Sequence, residues 1–126
     1  MLGQDNKYVI HKHNATHTHY DLRLEIKGAL KSWALPKIPP TEKGIKRLAV
    51  YTEDHPLEYA DFEGIIPEGH YGAGKVEIWD KGTFLPKEIE KDKIVFDIKG
   101  NKLKGKYCLI KFKNEEKNWL FFKCGD

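Results

Sequence analysis

A chain of 126 residues, 40% of them hydrophobic, can fill one core but not two, which predicts a single domain spanning 1–126. A net charge of +3 excludes a polycation, so any nucleic-acid affinity must come from local patches. No apolar run approaches the roughly 20 residues that cross a bilayer, and the N-terminus MLGQDNKYVIHKH has no signal-peptide core, so a cytoplasmic protein with no membrane partner is expected.

Residues 8–11 predict a short strand. Four of the six histidines then fall between 11 and 19, and the stretch 11–28 reads HKHNATHTHYDLRLEIKG. From His19 it alternates strictly, with His19, Asp21, Arg23 and Glu25 on one parity and Tyr20, Leu22, Leu24 and Ile26 on the other. Successive side chains of a strand point to opposite faces, so this strand has an apolar back and a chemically loaded front. The bland alternative is a polar, solvated face with a histidine-rich edge. Imidazoles, carboxylates and a guanidinium in one register point instead to a divalent metal beside a phosphate-sized anion. Such a His/His/Asp set can hold Zn, Mn, Fe or Ni; with a carboxylate and no thiolate it leans towards Mn²⁺ or Zn²⁺.

Strands are expected at 20–26 and 29–35, joined by a tight hairpin at Lys27-Gly28. Trp33 belongs to the core or its rim, and Lys37, in the Pro/Gly-bearing loop 36–45, is placed to reach a phosphate or simply to solvate. Only two of the 22 basic residues are arginines, Arg23 and Arg47. An arginine kept against that bias implies a need for its planar fork, a reading that Arg23's neighbours favour and that Arg47 leaves open. Residues 47–52 predict a strand leading into EDHPLEYADFEG, 53–64. There Glu53, Asp54, His55, Glu58, Tyr59, Asp61 and Glu63 offer partners for the loaded strand, or merely a solvated acidic loop. His55 suits a ligand, a phosphate donor or a general acid, and Tyr59 a phosphate hydrogen bond or packing. The glycine-rich 66–74 matches no phosphate-loop pattern and reads as a structural turn, with His70 on the surface.

A strand at 75–80, closed by Lys81-Gly82, is followed by strands at 94–99, 105–113 and 118–123. Short helical turns are expected near 56–62 and 86–91. Cys108 and Cys124 lack metal-type spacing and sit in apolar segments, so both are expected as buried free thiols. The lysines from Lys87 to Lys106 are ordinary solvated charge or a DNA path. About eight short strands joined by turns predict an all-β, mainly antiparallel fold: a small closed or nearly closed β-barrel.

The segments HKHNATHTHYDLRLEIKGALKSWALPK and KRLAVYTEDHPLEYADFEGIIPEGHYGAGKVEIWDKGTF together closely resemble the phosphoesterase domain of bacterial DNA ligase D and its stand-alone archaeal relatives. The resemblance runs from about Tyr8 to Phe84 through KH…HYDxRLE, LKSWAxPK, EDHPxxYADFEG and IPEGxYGAG. It implies a metal-dependent enzyme of non-homologous end joining that trims a 3′-terminal ribonucleoside to a 3′-phosphate and then removes that phosphate. Its substrates would be primer–template or duplex DNA ends, and a separate ligase and polymerase would act alongside a monomer. By resemblance, His13, His19 and Asp21 are the metal ligands, and Arg23 and His55 contact the scissile phosphate beside an essential Tyr59. Lys37 and Arg47 are further phosphate-binding positions, and Glu25, Glu53 and Asp54 supporting ones. Mn²⁺ is the implied ion, with Zn²⁺ or Co²⁺ as substitutes. The chain departs from the bacterial pattern at Thr16 and His17, where two arginines are common, at His11, where glutamine is usual, and at His70. The ligand set is untouched by these changes. Two rival readings are a non-catalytic nucleic-acid end-binding module and a small metal-dependent β-barrel oxygenase.

Overall fold

The computed structural model describes residues 5–70 and 73–126; Tyr71 and Gly72 of the glycine-rich motif lie outside the described residues. Strands β1 (Asn6–Asn14), β2 (Thr18–Ile26), β3 (Ala29–Leu35) and β4 (Lys46–Tyr51) are followed by a single 3₁₀ turn at Leu57–Asp61 and the short β5 (Gly64–Ile66). Then come β6 (Gly74–Ile89), β7 (Lys93–Lys99), β8 (Lys104–Lys111) and β9 (Asn118–Gly125). The pairing order β1-β2-β3-β4-β9-β8-β7-β6 closes because β6 also pairs with β1, giving the expected eight-stranded antiparallel barrel; β5 is added to the end of β6. Closure removes the unpaired edges that an open sheet would expose. Among the described residues, no helix is long and apolar enough to cross a membrane.

The Lys27-Gly28 hairpin forms as expected, with both residues at positive φ (53° and 81°), the twist that matches flanking strands. Residues 57–61 do form a helical turn, but 86–91 do not. The strand expected to close at Lys81-Gly82 instead continues as β6 through Pro86 to Ile89. Gly82 is a point of close approach: a Cβ there would strike the Lys99 carbonyl where β6 passes from β1 to β7. Pro86 sits at a register shift against β7, where a missing N–H is tolerated.

Large side chains occupy the middle of the barrel. Tyr8, Ile10, Leu22, Leu24, Trp33, Leu35, Phe84, Phe96, Tyr107 and Phe121 fill it, so it is a core and not a pore. Trp33 meets Trp119 edge-on at 5.6 Å, and Phe121 stacks on Tyr107 at 5.1 Å. A smaller cluster of Val9, Leu30 and Ala60, with Leu57, Tyr59 and Ile78 against it, lies on the outer side of β1 and β3. Residues 52–66 are thereby laid across the outside of the barrel. Backbone bonds fasten this strap: Leu30 and His55 exchange N–H···O bonds at 2.8 and 2.9 Å, and Thr52 N donates to Ser32 O at 2.9 Å. Of the two free thiols only Cys108 is buried; Cys124 is exposed, because it falls near the end of β9 outside the packed interior.

Candidate active site

The alternation in β2 places Leu22, Leu24 and Ile26 inside the barrel and His19, Asp21 and Arg23 on its outer wall, under the strap. β1 runs to Asn14, further than expected, and pairs His13 directly with His19. The two imidazoles meet with His13 Nδ1 3.3 Å from His19 Nε2, and His19 Nε2 lies 3.3 Å from Asp21 Oδ2. One ligating atom from each of the three lies within 4.8 Å of the others. His13 Nε2 is 3.1 Å from the Ala73 carbonyl, which can only accept, so it carries the proton and leaves Nδ1 bare towards its partners. That fixed tautomer, two nitrogens and one carboxylate fit a borderline or hard divalent cation. Burial alone would raise the Asp21 pKa, but the hydrogen bond to His19 and the Arg23 and His19 charges outweigh it and hold the carboxyl below its usual value. The same hydrogen bond raises the His19 pKa.

Arg23, 4% exposed, forms the other half of the site. Its Nη2 lies 3.4 Å from Asp21 Oδ2, its Nη1 donates to Ser32 Oγ at 2.9 Å, and its Cζ stands 4.9 Å from the Tyr59 ring centre. The strap supplies His55, whose Nδ1 is 3.1 Å from both Arg23 Nη1 and the Glu53 carbonyl. A guanidinium only donates and a carbonyl only accepts, so one nitrogen cannot serve both. With the Nδ1 proton given to Glu53, His55 keeps the Nε2 lone pair free. Burial, then the Arg23 charge, lowers the His55 pKa. Tyr59 lies between His55 and Phe62, stacked on the latter at 5.0 Å, and burial raises its hydroxyl pKa.

These groups line a cleft of about 390 Å³ walled by Ala34, Thr52, Ile66 and Val76. A larger hollow of about 1160 Å³ opens at the barrel end by Ile26, Lys31, Tyr51 and Trp119, but the ligating cluster lies in the smaller cleft. Of the expected residues, His13, His19, Asp21, Arg23, His55, Tyr59 and Glu53 meet there. The others do not. Glu25 accepts the Lys7 amide at 2.8 Å, Asp54 accepts the Tyr51 hydroxyl at 3.0 Å, and Arg47 Nε holds the Ile38 carbonyl at 2.7 Å. Lys37 is exposed in the loop after β3, and His17 and His70 are exposed as well. Glu63 accepts the Ile78 amide, and Asp61 pairs with Lys81. Sequence reasoning missed Ser32 and the Ala73 carbonyl, and treated His11 only as a departure from the family pattern. A signal for His11 was present: it shares strand parity with His13.

The profile of the DNA ligase D 3′-phosphoesterase domain matches residues 11–111. The Pseudomonas aeruginosa "Multifunctional non-homologous end joining protein LigD" is 47% identical over 95% of this chain and 15% of its own length. The Mycobacterium tuberculosis "Multifunctional non-homologous end joining DNA repair protein LigD" is 46% identical over 95% and 16%, and the Mycolicibacterium smegmatis LigD 44% over 98% and 18%. The chain thus spans less than one fifth of the length of these relatives.

Proposed function

The chain belongs to the DNA ligase D 3′-phosphoesterase domain family, and from that footing we propose that it is a metal-dependent hydrolase that heals DNA 3′ ends in non-homologous end joining. It trims a 3′-terminal ribonucleoside to a 3′-phosphate and then removes the phosphate, leaving a 3′-hydroxyl that a ligase can join. The observation that carries this reading is the convergence of His13, His19 and Asp21 beside a buried guanidinium in one cleft. A guanidinium pairs with a carboxylate as well as a phosphate, and it is the family match that favours phosphate here.

His13 Nδ1, His19 Nε2 and Asp21 Oδ2 would hold the ion, for which we propose Mn²⁺, with Zn²⁺ or Co²⁺ able to replace it. A bound divalent ion supplies Lewis acidity towards a phosphoryl oxygen and lowers the pKa of a water. The side chains do the rest. Arg23, held by Ser32 and Asp21, offers its remaining N–H groups to the phosphate oxygens as charge builds on them. Tyr59 and the apolar walls exclude water around that contact, which strengthens it. His55 is neutral in the free protein at pH 7, because burial and Arg23 disfavour its cation. An arriving phosphate anion reverses that balance and favours the protonated ring, the form able to hand a proton to the leaving oxygen.

The test is to strip the protein of metal and incubate it with a primer–template ending in one 3′-ribonucleotide, with and without Mn²⁺. The expected result is Mn²⁺-dependent appearance of a 3′-phosphate, then a 3′-hydroxyl. DNA binding without turnover under any of several divalent ions would replace the enzyme with an end-binding module. Asp21→Ala is expected to abolish both steps; phosphatase turnover in that variant would remove Asp21 from the ligand set. Arg23→Lys, a point charge in place of a fork, is expected to lower kcat by roughly 10²- to 10³-fold. Near-normal kcat would take Arg23 out of the phosphate clamp.

A further inference from the structure

His11 is 0% exposed on the outer wall of β1, and its two ring nitrogens face opposite demands. Arg23 Nε lies 3.0 Å from Nδ1, and the Phe62 carbonyl lies 3.0 Å from Nε2. A guanidinium N–H only donates, so Nδ1 must accept; a carbonyl only accepts, so Nε2 must donate. One form of the ring satisfies both, the neutral imidazole with its proton on Nε2. His11 therefore ties the guanidinium on β2 to the backbone of the strap that carries His55 and Tyr59. The Tyr59 ring closes over this bridge, 5.2 Å from the His11 ring centre.

We infer that His11 is the positioning residue of Arg23: by occupying Nε it closes the side edge of the guanidinium and leaves the terminal nitrogens for a phosphate. A guanidinium carries five N–H groups. His11, Ser32 and Asp21 take one each from Nε, Nη1 and Nη2; with the His55 Nδ1 proton directed at the Glu53 carbonyl, this leaves one on each terminal nitrogen for an anion in the cleft shared with His55. Without His11 a buried Nε–H loses its partner, and the guanidinium turns to seek another. This inference rests on the phosphoesterase reading for its kinetic consequence, but the geometry can be read with no substrate present.

The experiment compares wild type with His11→Leu and His11→Gln; an amide offers one acceptor and one donor, as the ring does. Nitrogen-15 NMR of metal-free wild type is expected to show His11 protonated on Nε2 alone. The Arg23 Nε–H should exchange slowly in wild type and His11→Gln and fast in His11→Leu. With a 3′-phosphate oligonucleotide and Mn²⁺, His11→Leu is expected to lose roughly 10- to 100-fold in kcat with KM little changed, and His11→Gln to recover most of it. Calorimetry should find the same Mn²⁺ affinity in all three. A proton on His11 Nδ1 in wild type overturns the inference, as does full kcat in a folded His11→Leu or a folded His11→Gln as impaired as the leucine. Should wild type turn over no oligonucleotide, the phosphoesterase reading fails, while the NMR comparison still decides whether His11 holds Arg23.

Discussion

Asp80 is 3% exposed and accepts four hydrogen bonds: from the Tyr8 hydroxyl at 2.8 Å and from the backbone N–H groups of Asn101, Lys102 and Leu103 at 2.8 to 3.0 Å. It satisfies the turn between β7 and β8 from inside the barrel wall, and Gly100 is required there because a Cβ would strike Asp80 Oδ2 and crowd the Tyr8 ring. Removal of the Asp80 carboxylate strands the Tyr8 hydroxyl and the Leu103 N–H away from water. Asp80→Ala is expected to cost about 3 kcal/mol or more, read as a lower urea midpoint with an unchanged slope. A change within about 0.5 kcal/mol, the range of an ordinary surface substitution, would show that the turn finds its partners elsewhere. At the same scale the site residues divide by depth. Asp21 and Arg23 are buried with fixed partners, whereas Lys37 is exposed, so only the first two are held in one geometry before a substrate arrives.

Strand β4 is joined to β9 through five register pairs but to β3 through only two, Trp33 with Tyr51 and Ala34 with Val50. The β1–β6 seam has nine. Beyond Tyr51 the strap takes over the pairing with β3 through Thr52 and His55. The weakest seam of the barrel is therefore the one that feeds the residues over the cleft, and local opening starts where fewest bonds must break. Native-state hydrogen exchange is expected to release the Thr52 and His55 amides well before those of Tyr8 and Ile10 in β1. Equal protection would mean that the barrel opens only as a whole.

Across the whole molecule, two buried tyrosines link stability to alkaline pH. Burial, then the Asp80 charge, raises the hydroxyl pKa of both Tyr8 and Tyr107 above the usual 10.0. Tyr8 donates to Asp80 and Tyr107 donates to the Pro40 carbonyl at 2.8 Å, so each must stay protonated in the folded barrel. The unfolded chain ionises near pH 10 while the fold retains its protons, and ∂ΔG/∂pH is therefore negative above that point. Stability is expected to be flat in this respect below pH 10 and to fall above it by at most about 1.4 kcal/mol per pH unit for each tyrosine. Denaturant midpoints at pH 8 and pH 11 measure the fall, and Tyr107→Phe should make it shallower. An equally steep fall in that variant would assign the alkaline transition to other groups.

The strict alternation from His19 to Ile26 determined by itself which β2 side chains enter the core and which stay outside it, since period-two patterning is a local property of the chain. Short strands and turn residues suffice for an antiparallel barrel, whereas 86–89 reads as a helical turn from sequence alone because Lys81-Gly82 and Pro86 mimic the end of a strand when their neighbours are unknown. What only the tertiary structure decided is non-local. The loaded face is the barrel's outer wall, because the strap bonds to β3 at Leu30 and Ser32 and covers it. His11 joins Arg23 and the strap because β1 and β2 lie side by side beneath it. Glu25, Asp54, Lys37 and Arg47 carry suitable chemistry, yet the register and the path of the loops place them outside the cleft. Residue type sets what a side chain can do, and pairing between distant segments sets which side chains meet.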